Sequence, residues 1–174
     1  MTKCVQVFRD VRNASKQKFK TKNLLKNIQE IRDLAVLRIA EAEYLMQNTN
    51  MDFSAAAFYL AGYAVELTLK ARICELLDAD DFYGDKKNGF GKYHSFKIHD
   101  IESLIVLAGL QNKIKEKEEA DKENPVPNFK TTFSVVKKWK ETSRYELSSS
   151  KLESEVFIKN AKIFIQWIEQ QKIT

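Results

Sequence analysis

Two ionisable side chains lie inside the most apolar stretch of the sequence, FYLAGYAVELTLKARI (residues 58–73): the carboxylate of Glu66 and the amine of Lys70. They are four residues apart with the acid first, a spacing that stabilises an α-helix by roughly 0.2–0.5 kcal/mol. Apolar residues flank both on nearly every side, so we expect another helix or a second subunit to cover them. Because breaking a buried ion pair costs roughly 3–5 kcal/mol, both charges need partners. The side chains expected near Glu66 are two arginines and three tyrosines, Arg38, Arg144, Tyr59, Tyr63 and Tyr145.

Two interpretations of this polar set stay open. In the first, it is a buried network that fixes how the helices pack against each other. In the second, it is a polar cleft for a nucleotide or an RNA phosphate, lined by Arg38, Lys70 and Arg144. Gly62 suits both, because a residue without a side chain allows another helix to approach closely. The candidate nucleotide- or RNA-binding residues are therefore Arg38, Tyr63, Glu66, Lys70, Arg144 and Tyr145.

Other residue types that carry chemistry are few. A zinc site would have to gather two cysteines and two histidines, of which only His94 and His99 are close in sequence. The cysteines are Cys4 and Cys74, and Cys74 falls on an apolar helical stripe, where a buried structural thiol is expected. The glycines within residues 84–91 do not form a phosphate-binding loop. We therefore expect no metal, no cofactor and no catalytic residue of a recognised type.

Composition and charge point to one helical domain with a basic arm. The chain has 174 residues but only five glycines and two prolines, too few turn residues for a many-stranded β protein. Residues 1–22 carry seven basic side chains and one acid, a net charge of +6 within a total of +5, so residues 23–174 sum to −1. This N-terminal arm suits either a nucleic-acid backbone or a solvated extension. No apolar run approaches the roughly 20 residues that span a bilayer, so we expect a cytoplasmic protein without membrane contact.

The spacing of apolar residues predicts an all-α fold, an antiparallel helical bundle of two long helices, short helices and a C-terminal helix. Asp100 is the expected N-cap of one short helix and Gly109 the residue that ends it. We expect an irregular loop over 78–96 and a solvated helix surface or a linker over 112–123. The predicted helices cover residues 23–48, 53–77, 100–109, 132–140 and 155–171. The predicted apolar faces comprise Ala56, Leu60, Ala64, Leu67, Ala71 and Cys74 in the second helix, and Phe157, Ala161, Phe164 and Ile168 in the last.

Residues 57–71, AFYLAGYAVELTLKA, closely resemble the second helix of HEPN domains (higher eukaryotes and prokaryotes nucleotide-binding). Further features fit the same family in the same order, namely AEYL at 42–45, HDI at 99–101 and Trp139 followed by SRY at 143–145. The resemblance covers roughly residues 23–170. It implies an antiparallel helical bundle that usually forms a homodimer. Members of the family include ribonuclease toxins, partners of small nucleotidyltransferases, and non-catalytic domains that bind RNA or nucleotides.

The catalytic members of this family carry an arginine followed, after four to six residues, by a histidine. Neither His94 nor His99 has an arginine at that spacing, and Arg144 has no histidine at 149–151. A nearby lysine does not replace a guanidinium that binds phosphate through two parallel hydrogen bonds. We therefore expect a non-catalytic or diverged HEPN-like domain that binds RNA, a nucleotide or a protein partner, in the setting of a toxin–antitoxin or defence system. The alternatives are a ribonuclease toxin with a non-standard active site and a structural protein-interaction module.

Overall fold

The computed structural model describes residues 27–79, 82, 97–123, 128–146 and 149–172. These residues form six α-helices and one 3₁₀ helix and contain no β-strand, which confirms the predicted all-α class. The helices are α1 (Ile28–Met46), α2 (Ser54–Leu76), α3 (Ile101–Leu107), α4 (Gln111–Ala120), α5 (Phe129–Val136), the 3₁₀ helix (Glu141–Tyr145) and α6 (Lys151–Gln170). The basic arm, the predicted helix start at 23–26 and most of the 78–96 segment lie outside the described residues. None of the helices described combines the length and apolar character needed to cross a membrane.

Helix α2 is the centre of the packing, because α1, α3, α6 and the 3₁₀ helix all contact it. Every residue from 64 to 74 is buried, on all sides of the helix. A helix segment enclosed in this way has no face toward solvent, which explains why apolar residues occur around its whole circumference. Burying side chains such as Leu67 and Ile73 contributes roughly 1.5–3 kcal/mol each. The single face predicted for this helix is therefore too narrow, and at its start the prediction for Ala56 is wrong, because that residue is exposed.

Both ends of α3 are fixed by local hydrogen bonds, as predicted. Asp100 is the N-cap, and its Oδ2 accepts from the Ser103 backbone N–H at 2.8 Å. Gly109 follows the helix with φ of +67°, in the left-handed region that glycine adopts without strain. The Leu110 backbone N–H then donates to the Ile105 carbonyl at 3.0 Å, completing the usual glycine-terminated helix end.

Two helices begin earlier than predicted because their caps lie upstream of the apolar pattern. Asn128 caps α5 by accepting from the Thr131 backbone N–H, so the helix starts at 129 and not at 132. Ser150 and Glu153 form a reciprocal capping box, so α6 starts at 151 and not at 155. The charged run at 112–123 is largely helix α4, in which Ile114 is buried. The four apolar residues predicted for the face of the last helix are all buried.

The buried guanidinium of Arg72 holds α3 against α2. Its Nε donates to the Ala108 carbonyl at 3.0 Å, and its Nη1 donates to the Gln171 carbonyl beyond α6 at 2.6 Å. Burial lowers the pKa of Arg72, since the charged form has left bulk water. These contacts fix the position of α3 and therefore of His99, which lies two residues before it.

Candidate functional site

Glu66 and Lys70 form a buried ion pair on α2, as the apolar flanks predicted. Each side chain is 1% exposed, and Lys70 Nζ lies 2.7 Å from Glu66 Oε1. The Lys70 ammonium also lies 4.9 Å from the centre of the Phe82 ring, within the range of a cation–π contact. Helix geometry places both groups on one side of α2, and the elements packed around it exclude water.

His99 is the second partner of Glu66, and the sequence did not predict it. Its Nδ1 lies 3.1 Å and 3.2 Å from the two carboxylate oxygens of Glu66, and its Nε2 lies 3.7 Å from Glu141 Oε2. The His99 side chain is 38% exposed, whereas Glu66 is buried. A neutral His99 that donates from Nδ1 to Glu66 presents Nε2 as an acceptor toward the surface. The buried carboxylate thus fixes the orientation of a solvent-accessible imidazole.

Arg144 joins this set through Glu141, three residues earlier in the 3₁₀ helix. Its Nη1 lies 2.8 Å from Glu141 Oε1, and its guanidinium lies 4.8 Å from the centre of the Tyr145 ring. Tyr145 is 73% exposed, so one face of a cationic and aromatic pair is open to solvent. The Arg144 guanidinium also lies near the hydroxyl of Tyr59; burial raises the pKa of that phenol, and the neighbouring guanidinium opposes the rise.

A stack of aromatic rings holds the 3₁₀ helix region against α2. The Tyr59 ring lies 6.1 Å from the Tyr63 ring and 6.0 Å from the Trp139 ring, measured between centroids. The Trp139 indole N–H donates to the Tyr59 carbonyl at 3.2 Å. Beside it, Gly62 leaves the space that the indole occupies. The group that packs closely against Gly62 is therefore the indole ring of Trp139.

The result is one connected set of charged groups, which we call the His99 cluster: Glu66, Lys70, His99, Glu141 and Arg144. Its two permanent cations balance its two carboxylates, so it is neutral with a neutral imidazole and carries +1 when His99 is protonated. The buried members lie behind the imidazole, and the Arg144 and Tyr145 side chains lie at the surface. The arrangement can therefore offer an anion a guanidinium and an imidazolium from one side.

Several predicted site residues come together here and one does not. Glu66, Lys70 and Arg144 belong to the His99 cluster. Tyr145 stacks on Arg144, and the Tyr63 ring stacks on the Tyr59 ring. Arg38, however, pairs with Glu41 on α1, and among the described residues no ion pair or hydrogen bond joins it to the His99 cluster. Pairing at a spacing of three residues gives Nη1 of Arg38 a partner on its own helix, whereas its Nε is buried without a hydrogen-bond partner in the described part of the chain.

His99 and Glu141 are the residues that sequence reasoning missed. His99 meets Glu66 across 33 residues of chain, and no periodic pattern records such a contact. The sequence did carry one signal for His99. The expected N-cap at Asp100 fixes where the chain enters α3, and therefore the direction of the chain at the preceding residue, His99. Glu141 precedes Arg144 by three residues, a spacing that predicts an ion pair within one helical turn.

Other possible sites in the described part of the chain have weaker chemistry. No group of three or more His, Cys, Asp or Glu side chains among these residues is arranged to hold a metal ion; Cys4 and His94 lie outside them. Clefts of about 500 Å³ and about 380 Å³, lined mainly by α1 and α6, share no lining residue with the His99 cluster. Of the basic side chains that line them, Arg32 and Lys162 are paired with Glu75 and Glu43, and Lys159 is exposed. We therefore place the candidate site at the His99 cluster.

Comparison with protein-family models, with curated proteins and with solved structures gives no match to this chain. The resemblance to HEPN domains stays a prediction that the sequence motifs alone support.

Proposed function

We propose that this chain is a HEPN-like domain, an antiparallel helical bundle, which binds the phosphate of RNA or of a nucleotide at the His99 cluster. The observation that supports the proposal is the exposed edge of His99, oriented by the buried carboxylate of Glu66 and adjoining the Glu141–Arg144 pair. When the oriented imidazole is protonated, its Nε2–H and the guanidinium together supply N–H donors that suit phosphate oxygens. The exposed Tyr145 ring adds a surface on which a base can stack.

Glu141 sets the condition for binding. Its carboxylate already accepts from Arg144 and lies near His99 Nε2, so an incoming phosphate competes with it for the same two groups. The competition favours the ligand when His99 is protonated, because the cluster then carries a net positive charge. The Glu141→Gln variant should therefore bind more tightly than the parent, because the competing carboxylate is removed.

The resemblance extends the proposal to assembly and setting. It implies a cytoplasmic homodimer, a small nucleotidyltransferase-type protein as a partner, and a role in a toxin–antitoxin or defence system. Sedimentation of the purified chain tests the first of these. A monomer at high concentration would contradict the homodimer without affecting phosphate binding at the His99 cluster.

A second candidate function is RNA cleavage with a non-standard active site. One observation favours it: a histidine and an arginine, the two residue types of metal-independent phosphodiester cleavage, adjoin the same carboxylate of Glu141. In that reaction His99 Nε2 would take the proton of a 2′-hydroxyl as its oxygen attacks phosphorus, and Arg144 would stabilise the added negative charge. The bond from phosphorus to the 5′-oxygen would break, that oxygen would take a proton from water, and the products would be a 2′,3′-cyclic phosphate and a 5′-hydroxyl.

One experiment addresses both functions. A labelled oligouridylate is titrated with the parent protein and with Arg144→Ala, and each sample is then run on a denaturing gel. Since a charge-assisted hydrogen bond contributes about 1.5–3 kcal/mol, the variant should bind roughly 10- to 100-fold more weakly.

Arg38→Ala is the matched control, because it removes the same guanidinium from a pair that lies outside the cluster. Equal binding by the parent and by Arg144→Ala would contradict the proposal. Shortened RNA that disappears with His99→Ala would favour the ribonuclease. If no RNA or nucleotide binds, the structural protein-interaction module is the better account of the chain.

A further inference from the structure

Three lysines are presented to solvent by the segment KKWK (residues 137–140), which joins α5 to the 3₁₀ helix and which we call the lysine segment. Lys137, Lys138 and Lys140 are all exposed, whereas Trp139 between them is only 2% exposed. The segment leads directly into the 3₁₀ helix that carries Arg144. The lysines therefore lie on the chain that also positions the proposed phosphate site.

The buried tryptophan fixes this segment to α2. Its indole N–H donates to the Tyr59 carbonyl, its ring stacks on the Tyr59 ring, and its edge fills the space above Gly62. Tyr59 in turn lies near Arg144, whose guanidinium opposes the rise in the pKa of the phenol. An anchored backbone holds its exposed cations at fixed positions relative to Arg144, which lowers the entropic cost of using them together.

This surface carries more basic side chains than one phosphate can contact. Residues 137–146 contain four basic side chains against two carboxylates, a net +2 within a region, 23–174, that sums to −1. Lys137 is loosely paired, with Nζ 3.8 Å from a carboxylate oxygen of Glu102. Within the described part of the chain, neither Lys138 nor Lys140 forms a salt bridge, although Lys138 lies close enough to Glu153 to help lower the pKa of that carboxyl. A mononucleotide at Arg144 leaves these cations unused, whereas a polynucleotide places one phosphate on each successive nucleotide.

The exposed ring of Tyr145 restricts the strand type. It is 73% exposed and stacked on Arg144, so a base can approach its free face. Stacking of this kind requires an unpaired base and contributes without sequence preference. A duplex keeps its bases stacked on one another and cannot use the ring.

We infer that the ligand of the His99 cluster is a single-stranded polynucleotide several nucleotides long. Its backbone passes from Arg144 along the lysine segment, and one of its bases stacks on Tyr145. This inference rests on the proposed function and names the class of ligand that the site takes.

The test compares ligand length and salt dependence. Uridine monophosphate and oligouridylates of two, four and eight nucleotides are titrated with the parent, with Lys138→Gln/Lys140→Gln and with the control Lys115→Gln/Lys122→Gln. The control removes the same charge from α4 and its C-terminal end, outside the lysine segment. Both double variants change only exposed side chains, so unfolding is not expected.

Affinity should rise with length for the parent. The affinity of the lysine-segment variant should be about tenfold lower than that of the parent for the eight-nucleotide ligand and unchanged for the monophosphate. Its plot of log affinity against log salt should be shallower by about 1.4, since each phosphate contact in a single strand contributes about 0.7. The control should match the parent throughout.

The failures are distinguishable. If monophosphate and octanucleotide bind equally well, or if both double variants weaken binding alike, the inference is wrong while phosphate binding at the His99 cluster stands. If a duplex of the same length binds as tightly as the single strand, the role of Tyr145 is wrong. If none of these ligands binds, the proposed function fails and the inference fails with it.

Discussion

Replacing Gly62 with alanine should destabilise the protein, although alanine is the better helix former. A Cβ atom on Gly62 would lie 2.0–2.2 Å from three atoms of the Trp139 indole, Cδ1, Cγ and Nε1. Since carbon atoms in contact sit about 3.5–4.0 Å apart, the ring would have to move by about 1.5 Å. The indole is rigid and buried, and its N–H bond to the Tyr59 carbonyl would be lost as it moved.

The expected magnitude follows from two opposing terms. Glycine to alanine in a helix interior gains about 1 kcal/mol of backbone free energy. Overpacking costs about 3 kcal/mol when the ring shifts within its site, and about 5 kcal/mol when the tryptophan is expelled. The variant should therefore be less stable by about 2–4 kcal/mol.

Urea unfolding followed by circular dichroism measures this change, and a second background makes the reasoning testable. In a Trp139→Ala protein the ring is absent, so adding Gly62→Ala should stabilise by about 1 kcal/mol, the reverse of its effect in the parent. A Gly62→Ala protein as stable as the parent would refute the argument. The same sign in both backgrounds would also refute it.

Three further predictions concern the buried pair and the start of α6. Glu66→Gln should lower the free energy of unfolding by about 3–5 kcal/mol, because the Lys70 ammonium loses its buried carboxylate. In the same urea assay, the double variant Glu66→Gln/Lys70→Met should recover part of that loss, because it leaves no unpaired buried charge. Ser150→Ala should cost about 1 kcal/mol in thermal unfolding, since the Glu153 backbone N–H loses its acceptor; an unchanged melting temperature would mean that the cap contributes nothing. Hydrogen bonds from the Ser150 hydroxyl and backbone N–H hold the pKa of Glu153 below its ordinary value of 4.5. The stabilisation that the Glu153 carboxylate provides is therefore complete above pH 4.5 and is lost as pH falls through the lowered pKa, so the melting temperatures of the parent and Glu153→Gln should converge as pH falls below that pKa.

The parts of the fold that sequence reasoning predicted well are those with a local physical signature. Helix α6 has one buried side, so Phe157, Phe164 and their neighbours recur at steps of three and four residues. Helix α2 is enclosed, so apolar residues occur around its whole circumference. Predicting a single buried face for it therefore gave the wrong position for Ala56, which is exposed. The early starts of α5 and α6 follow from their N-caps, Asn128 and Ser150. Both are residue types that commonly cap helices, but they lie outside the apolar pattern from which the helix starts were predicted.

The candidate site divides in the same way. The pairing of Glu66 with Lys70 depends only on helical spacing and was predicted from it. The contact of His99 with Glu66 depends on how α3 docks, through an Arg72 hydrogen bond between distant parts of the chain. Arg38 was assigned to the site because it interrupts an apolar stripe, but its own helix supplies a partner. Long-range contacts between single polar residues leave no repeating pattern in a sequence.

The most direct measurement for the central claim is nitrogen NMR of the histidine side chains during a titration with oligouridylate. The chain contains two histidines, His94 and His99, so a His94→Gln variant assigns the signals without ambiguity. If phosphate binds at the His99 cluster, the Nε2 resonance of His99 should move in proportion to saturation, while Nδ1 keeps the shift of a donor to Glu66. Saturating binding that leaves both His99 resonances unchanged would contradict the account and place the ligand elsewhere on the protein.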